Sequence, residues 1–301
     1  MSINPTPPTP GRERWWISGA TGSWGQELVS QVLAQGHQVV AFCRGEYRAW
    51  QLLEAHPGQP LTIYLADIRD RARVQHSLKG VDVVVHGAAL KRIDTALSSP
   101  TEMAAVNIEG TKAVIDGCIE NLVKRAFYIS TDKACEPTTF YGASKLVAES
   151  LWMSARGLGG VQFVAGRFGN ALDSTGSVLQ VWRSQMERGQ PVSLRDPTMT
   201  RFIMAIPWAV KFILRAIGEA HLLGELAIPL LRAATIGDLK VAFCGARWPT
   251  TFQPLLLGEK KHESLKPGVT SNLATLLTGD ELRTFLRAAN ITLPTIEWEE
   301  L

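Results

Sequence analysis

Residues 15–25 constrain the fold more than any other stretch of this chain. "WWISG" is a short apolar run, and Gly19-x-x-Gly22-x-x-Gly25 follows it at once, opening the helical pattern "SWGQELVSQVLAQG". A strand that turns through glycines straight into a helix offers the N–H groups of the helix start, and glycines let a pyrophosphate approach them closely. A tight strand–helix turn also selects glycine with no ligand at all. The rest of the chain decides between these readings. Further short β-type runs alternate with helical ones: "HQVVAFCR" (37–44), "LTIYLAD" (61–67), "VDVVVHGAA" (81–89), "RAFYIST" (125–131) and "VQFVAGRF" (161–168), with "ELAIPLL" (225–231) as a candidate seventh. Helical stretches are predicted near 70–79, from about 100 to 122, from Tyr141 onward, and at 177–188, 207–219 and 279–289. Strand runs without strict alternation, separated by helices, predict an α/β fold: a doubly wound parallel sheet covered on both faces. The nucleotide-binding domain reads as 13–168. Residues 169–301 read mainly as a smaller C-terminal substrate-binding lobe that returns at least one strand to the sheet. Residues 1–12, "MSINPTPPTPGR", read as a disordered polar tail.

The glycine turn therefore predicts a dinucleotide cofactor. An acidic residue at the end of the second strand would hold the ribose 2′-OH of NAD. This chain has Cys43-Arg44 there, with Arg48 a helical turn further on. A guanidinium grips a 2′-phosphate bidentately, so the pair favours NADP over two solvated surface charges. Asp67, ending the third strand, stands either at the adenine edge or as a solvated loop residue.

Composition removes other function classes. Of 301 residues, 20% are charged and the net charge is only +3, which gives no concentrated basic face for nucleic acid. The four cysteines form no CxxC, which suits the reduced thiols of a cytoplasmic protein. The six histidines lack metal-ligand spacing, so no metal is expected. "FIMAIPWAVKFILRAI" is broken by Pro207, Lys211 and Arg215 and reads as a buried amphipathic helix, with no membrane partner.

The stretch "STDKACEPTTFYGASK" (130–145) carries the chemistry. Tyr141 and Lys145 share one helical face at i and i+4. A neighbouring ammonium favours the phenolate, so the pair can take a proton from an alcohol whose carbon gives up hydride. Thr131 is placed to hydrogen-bond the same alcohol, or only its own strand end. Asp132-Lys133 reads either as a second acid–base pair or as a surface ion pair.

Together, the glycine triplet, "HGAA", Asn107 in "NIEGT", Thr131, Tyr141 and Lys145 resemble the extended short-chain dehydrogenase/reductases, a Rossmann family. More narrowly, "AALKRID", "STDKA", "YGASK", "GRFGNALDSTGSV", "DPTMTRF" and "GEKKHESL" resemble the C5-inverting UDP-N-acetylglucosamine 4,6-dehydratases that feed surface sugars such as pseudaminic acid. The resemblance runs from about residue 14 to 266; the stretch beyond carries none of it. It implies a lyase in which Tyr141 and Lys145 serve oxidation of the sugar 4-OH. The resulting 4-ketone acidifies C5, and Asp132 and Lys133 serve the elimination of the 6-OH. Retaining relatives carry Asp-Glu at this pair, and the inverting family takes the Lys as base. For that, the pKa of Lys133 must fall from about 10.4; desolvation and Lys145 lower it, and an ionised Asp132 opposes them.

The resemblance also implies cofactor contacts from Thr21, Ser23, Trp24, Ile68, Ala88, Lys91 and Ala171, beside the glycines, Arg44, Arg48, Asp67, Tyr141 and Lys145. It implies substrate contacts from Lys91, Asn170, Ser177, Val178, Arg201, Glu259 and Lys260. Arg201 and Lys260 suit a diphosphate by charge, though each reads equally as a solvated cation. His262 carries no signal of its own, His86 reads as a satisfied core histidine, and Cys135 has no assigned role. "PLLRAAT" and Trp24, where Phe is usual, depart from the family pattern. The implied partner is a nucleotide sugar, and a homo-oligomer is expected. The rival reading is a 4-epimerase or reductase using the same Tyr–Lys pair.

Overall fold

The computed structural model describes residues 11–219 and 226–294, so most of the expected N-terminal tail lies outside the described residues. The chain forms two compact units. The first runs to Ile129 and adds Val147–Gly166 and Ile213–Ala227; the second comprises Ser130–Leu146, Arg167–Phe212 and the chain from Ile228 on. The chain leaves the first unit after Ile129, after Gly166 and after Ala227, and it re-enters that unit twice in mid-helix.

The main sheet has the order β3-β2-β1-β4-β5-β6. Its strands are β1 Arg14–Ser18, β2 Gln38–Cys43, β3 Leu61–Leu65, β4 Val83–His86, β5 Arg125–Thr131 and β6 Gln162–Phe168. The pairs β1–β2, β2–β3, β1–β4 and β4–β5 are all parallel. β1 lies between β2 and β4, which makes the end of β1 the topological switch point where open α/β sheets bind ligands. β2 and β4 are buried almost throughout, which is why they read as continuous apolar runs. β3, at the edge, is half-exposed. The core of this unit packs Trp16, Phe42, Val84, Tyr128, Trp152 and Phe163 together.

The candidate seventh strand is reduced to one parallel bridge, Gly166 to Ala227; Glu225 lies outside the described residues. Pro229 lacks an N–H for a ladder, which limits that run. The helix expected over 100–122 is three segments, Pro100–Ala104, a π-helical Ala105–Glu109 and Gly110–Glu120.

The second unit has its own core around Leu179, Trp182, Leu239, Phe243, Leu282 and Leu286. Its strands are short: β7 Asn170–Ala171, β8 Val192–Leu194, β9 Thr200–Met204, β10 Arg232–Thr235, β11 Thr250–Phe252, β12 Ser264–Lys266 and β13 Val269–Thr270. β10, β9 and β7 form one sheet, β11 pairs with β8, and β12 with β13. Gly169 lets β7 lie against β9, since a Cβ there would come within 2.5 Å of Phe202 Cβ. Among the described residues, no helix is long and apolar enough to cross a membrane.

Candidate active site

The glycine turn is built from backbone. Gly19 has φ +69°, and a Cβ on it would meet Ala88 N at 3.0 Å. Gly25 is forced by packing: its Cβ would sit 2.2 Å from Gly19 O, so only glycine lets the helix Ser23–Ala34 start against the end of β1. Gly22 caps that helix with no side chain, and the first turn carries no acid. This cradle, filled by any Cβ, fits a dinucleotide pyrophosphate.

Arg44 and Arg48 are exposed, one after β2 and one on the helix Glu46–Glu54. Asp67 is held by a residue that sequence reasoning missed. Arg69 Nε and Nη2 donate to its two carboxylate oxygens at 2.9 and 2.7 Å, and Arg69 Nη1 reaches Glu102 at 2.9 Å. Ile68 is buried under Gly110, where a Cβ would meet Ile68 Cγ2 at 2.9 Å.

The loop after β4 hangs on a chain of hydrogen bonds. The N–H groups of Gly87 and Ala88 both donate to Ser18 Oγ at 3.1 Å. Ser18 Oγ lies 2.6 Å from His86 Nδ1, and His86 Nε2 lies 3.0 Å from Thr111 Oγ1. The Thr111 hydroxyl donates its one proton to Asn107 O at 2.7 Å, so it accepts from His86 Nε2–H. His86 Nδ1 then accepts from Ser18. Asn107 clamps Leu90 through both backbone groups, at 2.8 and 2.9 Å, next to the exposed Lys91. The π-helical turn carries Asn107, as such turns often do at functional positions.

The second unit gathers the remaining chemistry. Thr131 ends β5, and Asp132–Ala134 forms a 3-10 turn beyond it. Gly142 explains the "YGASK" glycine: its Cβ would sit 2.3 Å from Lys133 O, so the helix Phe140–Ser154 packs directly on that turn. Asp132 is fully buried, while Lys133 is a quarter exposed. The pair is therefore not a surface ion pair. Thr131 Oγ1 donates to Asp132 Oδ1 at 2.8 Å and lies beside the Tyr141 phenol. Lys133 Nζ faces three oxygens: Asp132 Oδ1 at 3.0 Å, Asn170 Oδ1 at 3.2 Å and Glu263 Oε1 at 3.4 Å. Those contacts match the three donors of an ammonium.

Glu263 was not singled out in the sequence, although "GEKKHESL" contains it. It is buried, and Lys260 Nζ and Arg201 Nε also lie 3.9 and 4.0 Å from its carboxylate. Arg201, on β9, is buried too and pairs with Glu259 at 3.5 Å. Lys260 Nζ donates to Cys135 O at 2.6 Å. Neither Arg201 nor Lys260 is thus a free solvated cation. Ser271, also missed, ties this loop to β9: Glu263 N donates to its hydroxyl at 3.0 Å, and the hydroxyl reaches Thr200 O at 3.1 Å. His262 lies 2.8 Å from the Thr200 hydroxyl, a structural contact. Three buried side-chain oxygens here accept or donate nothing: Asp132 Oδ2, Glu263 Oε2 and Ser177 Oγ. Ser177 precedes the helix Val178–Glu187. Ala171 is buried on β7.

The expected pKa shifts run the other way. Burial pushes Lys133 down, but the carboxylates of Asp132 and Glu263 outweigh it, and the net shift is upward. Tyr141 is also pushed up, first by burial; Lys133 and Thr131 lower it in part, while Asp132 and Glu263 raise it. Before substrate arrives, the cluster holds its base candidates protonated.

Asn170, Arg201, Glu259 and Lys260 join Thr131, Asp132, Lys133, Tyr141 and Lys145 in the second unit; the glycines, Arg44, Arg48, Asp67 and Lys91 belong to the first. Glycine turn, sheet order and Tyr–Lys helix define an extended short-chain dehydrogenase/reductase. Within that class, the family model for polysaccharide biosynthesis proteins matches residues 16–274, and the chain belongs to that family. The UDP-N-acetylglucosamine 4,6-dehydratase (inverting) of Campylobacter jejuni is 32% identical over 266 residues, covering 85% of this chain and 78% of that protein. A UDP-glucose 4-epimerase of Rickettsia conorii is 30% identical over 282 residues, covering 90% and 81%. The X-ray structure of Pen from Bacillus thuringiensis superposes with a TM-score of 0.86 at 26% identity, covering 93% of this chain and 98% of that one.

Proposed function

We propose that this protein is an NADP-dependent UDP-N-acetylglucosamine 4,6-dehydratase that inverts C5. The observation that carries the reading is the Asp132-Lys133 pair, its carboxylate fully buried, beside Thr131 and Tyr141. A 4-epimerase has no use for an acid–base pair at C5. When bound, a nicotinamide cofactor supplies the hydride chemistry at C4 and C6. Gly19, Gly22 and Gly25 would hold its pyrophosphate, and Arg44 and Arg48 a 2′-phosphate.

The side chains divide the proton work. Tyr141, oriented by Thr131, takes the proton of the 4-OH. Lys133, once neutral, takes the C5 proton that the 4-ketone has made acidic. Lys133 becomes neutral by passing its proton to Asp132 Oδ1, 3.0 Å away, and Asp132 gives that proton to the departing 6-OH, so that water leaves. The sugar ends as a 4-keto-6-deoxy product with no net redox change. Asn170, Ser177, Val178, Arg201, Glu259 and Lys260 line the substrate side in this reading, with Arg201 and Lys260 toward the diphosphate.

The epimerase alternative is favoured by one finding, the relatives of that name at 30% identity. Incubation with UDP-N-acetylglucosamine in deuterium oxide, followed by NMR, separates the two. The dehydratase places deuterium at C5 and gives the L-arabino 4-keto sugar first. An early time course of D-xylo product alone refutes inversion, and a 4-epimer alone refutes the dehydratase.

A further inference from the structure

Glu263 is unexplained by the reaction as drawn above. Its carboxylate is buried, one oxygen lies 3.4 Å from Lys133 Nζ, and the other accepts no hydrogen bond. Buried carboxylate oxygens are rarely left so, and each exception asks for a reason. Its place is enforced rather than accidental. Glu263 and Ser271 bond each other through Glu263 N to Ser271 Oγ, at 3.0 Å, and Ser271 N to Glu263 O, at 2.8 Å. Ser271 is fully buried and tied to β9.

The charges around Lys133 come from every element packed on it. Asp132 shares its turn, Glu263 comes from the loop before β12, Arg201 from β9, and Tyr141 from the helix Phe140–Ser154. Asn170, from β7, adds a neutral acceptor. Asp132 Oδ1 is already occupied by Thr131 as well as Lys133. Glu263 also has Arg201 Nε 4.0 Å from Oε1 and Lys260 Nζ, from its own loop, 3.9 Å from Oε2, so it joins Lys133 to two further cations.

We propose that Glu263 is a positioning residue that acts through Lys133: it fixes the amino group and sets the pH at which that group becomes a base. A buried negative charge at this range favours the ammonium, so Glu263 keeps Lys133 protonated in the empty site. A substrate hydroxyl that donates to the open Oε2 draws charge away from Oε1 and loosens that hold. Only a proton moves: Lys133 loses one, to solvent or to a neighbouring oxygen, and no other bond changes. The role rests on the dehydratase reading for its purpose, but the coupling itself is independent of any activity.

The test uses the full chain labelled with 15N-lysine, the Lys133 Nζ signal being identified by its loss in K133R. In E263Q the Lys133 titration should fall by about one to three pH units, the scale of one nearby charge in a partly buried site. E263D, which keeps a charge but draws it back, should shift it in the same direction by less. If both variants titrate like the wild type, the proposal is overturned. With UDP-N-acetylglucosamine, the rising limb of the elimination rate against pH should move to lower pH by the same amount in E263Q. A uniform loss of rate with no movement of that limb makes Glu263 merely structural and also overturns the proposal. If the wild type dehydrates nothing, the dehydratase reading falls, and the 15N titration still decides the coupling.

Discussion

Two buried polar networks in this molecule are built on opposite rules. Ser18, His86, Thr111 and Asn107, in the first unit, are neutral, and hydrogen bonds join them in sequence. Asp132, Lys133, Arg201, Lys260 and Glu263, in the second, are charged and leave two carboxylate oxygens without a donor. A satisfied neutral network rigidifies what it touches and asks for nothing further. A charged network with open acceptors holds a free-energy penalty that an arriving donor relieves. The first is scaffold for the loop after β4. The second is where chemistry is expected.

The largest effect should come from breaking the charged network at its centre. Lys133→Ala should slow elimination by about 10²–10⁴-fold, the usual worth of a positioned acid–base group. Reduced nicotinamide should still accumulate in stopped-flow absorbance after mixing with substrate. Tyr141→Phe should instead suppress that first absorbance change by a similar factor. A Lys133→Ala enzyme at the wild-type rate would demote the cluster to structure.

The neutral network should answer through stability alone. Thr111→Val removes a hydroxyl that both donates to Asn107 O and accepts from His86, leaving the buried His86 Nε2–H without that acceptor. The expected cost is about 1–3 kcal/mol in urea unfolding, with kcat nearly unchanged in the folded fraction. A large fall in kcat without loss of stability would erase the distinction between the two networks.

What the sequence made legible follows the same divide. The sheet was readable because β1, β2 and β4 are continuous apolar runs, and the glycine turn because Gly25 admits no other residue. Thr131 to Lys145 were readable because they are close in the chain. Glu263 and Ser271 were not, because their meaning depends on the loop and hairpin around β12 and β13 meeting β9. Such pairing leaves no periodicity in strands this short. The π-helical turn at Asn107 was hidden inside an ordinary helical pattern. The direction of the Lys133 shift could not be read either, since it needs Glu263 in place.

A smaller effect sharpens the cofactor side. Arg44 is exposed, so its contact with a 2′-phosphate would be screened by solvent. Arg44→Asp should therefore cost about tenfold in NADP affinity relative to NAD, measured by calorimetry, rather than abolish binding. Equal affinities of the wild type for both cofactors would remove the NADP assignment.

The smallest expected effect is an exposed ion pair of the first unit, which sets a baseline for charge outside the cluster. Hydrogen bonds from Arg69 hold the Asp67 carboxyl down at about 2; burial opposes this, and Arg44 adds a small attraction. The ordinary value is about 3.9, so the folded chain keeps this proton off more readily than the unfolded one. The stability gained is present above about pH 4. It is lost as the pH falls towards the folded value of about 2. The side chains of Arg69 and Asp67 are 40% and 25% exposed. Screening then limits the pair to about 1 kcal/mol or less. Asp67→Asn should lower unfolding stability by that amount at neutral pH. The gap to the wild type should close on acidification for as long as the fold survives, and shrink in high salt. A gap independent of both pH and salt would mean that Asp67 contributes through neutral contacts. The baseline for charge outside the Lys133 cluster would then have to come from another pair of the first unit, such as Lys124 with Asp82.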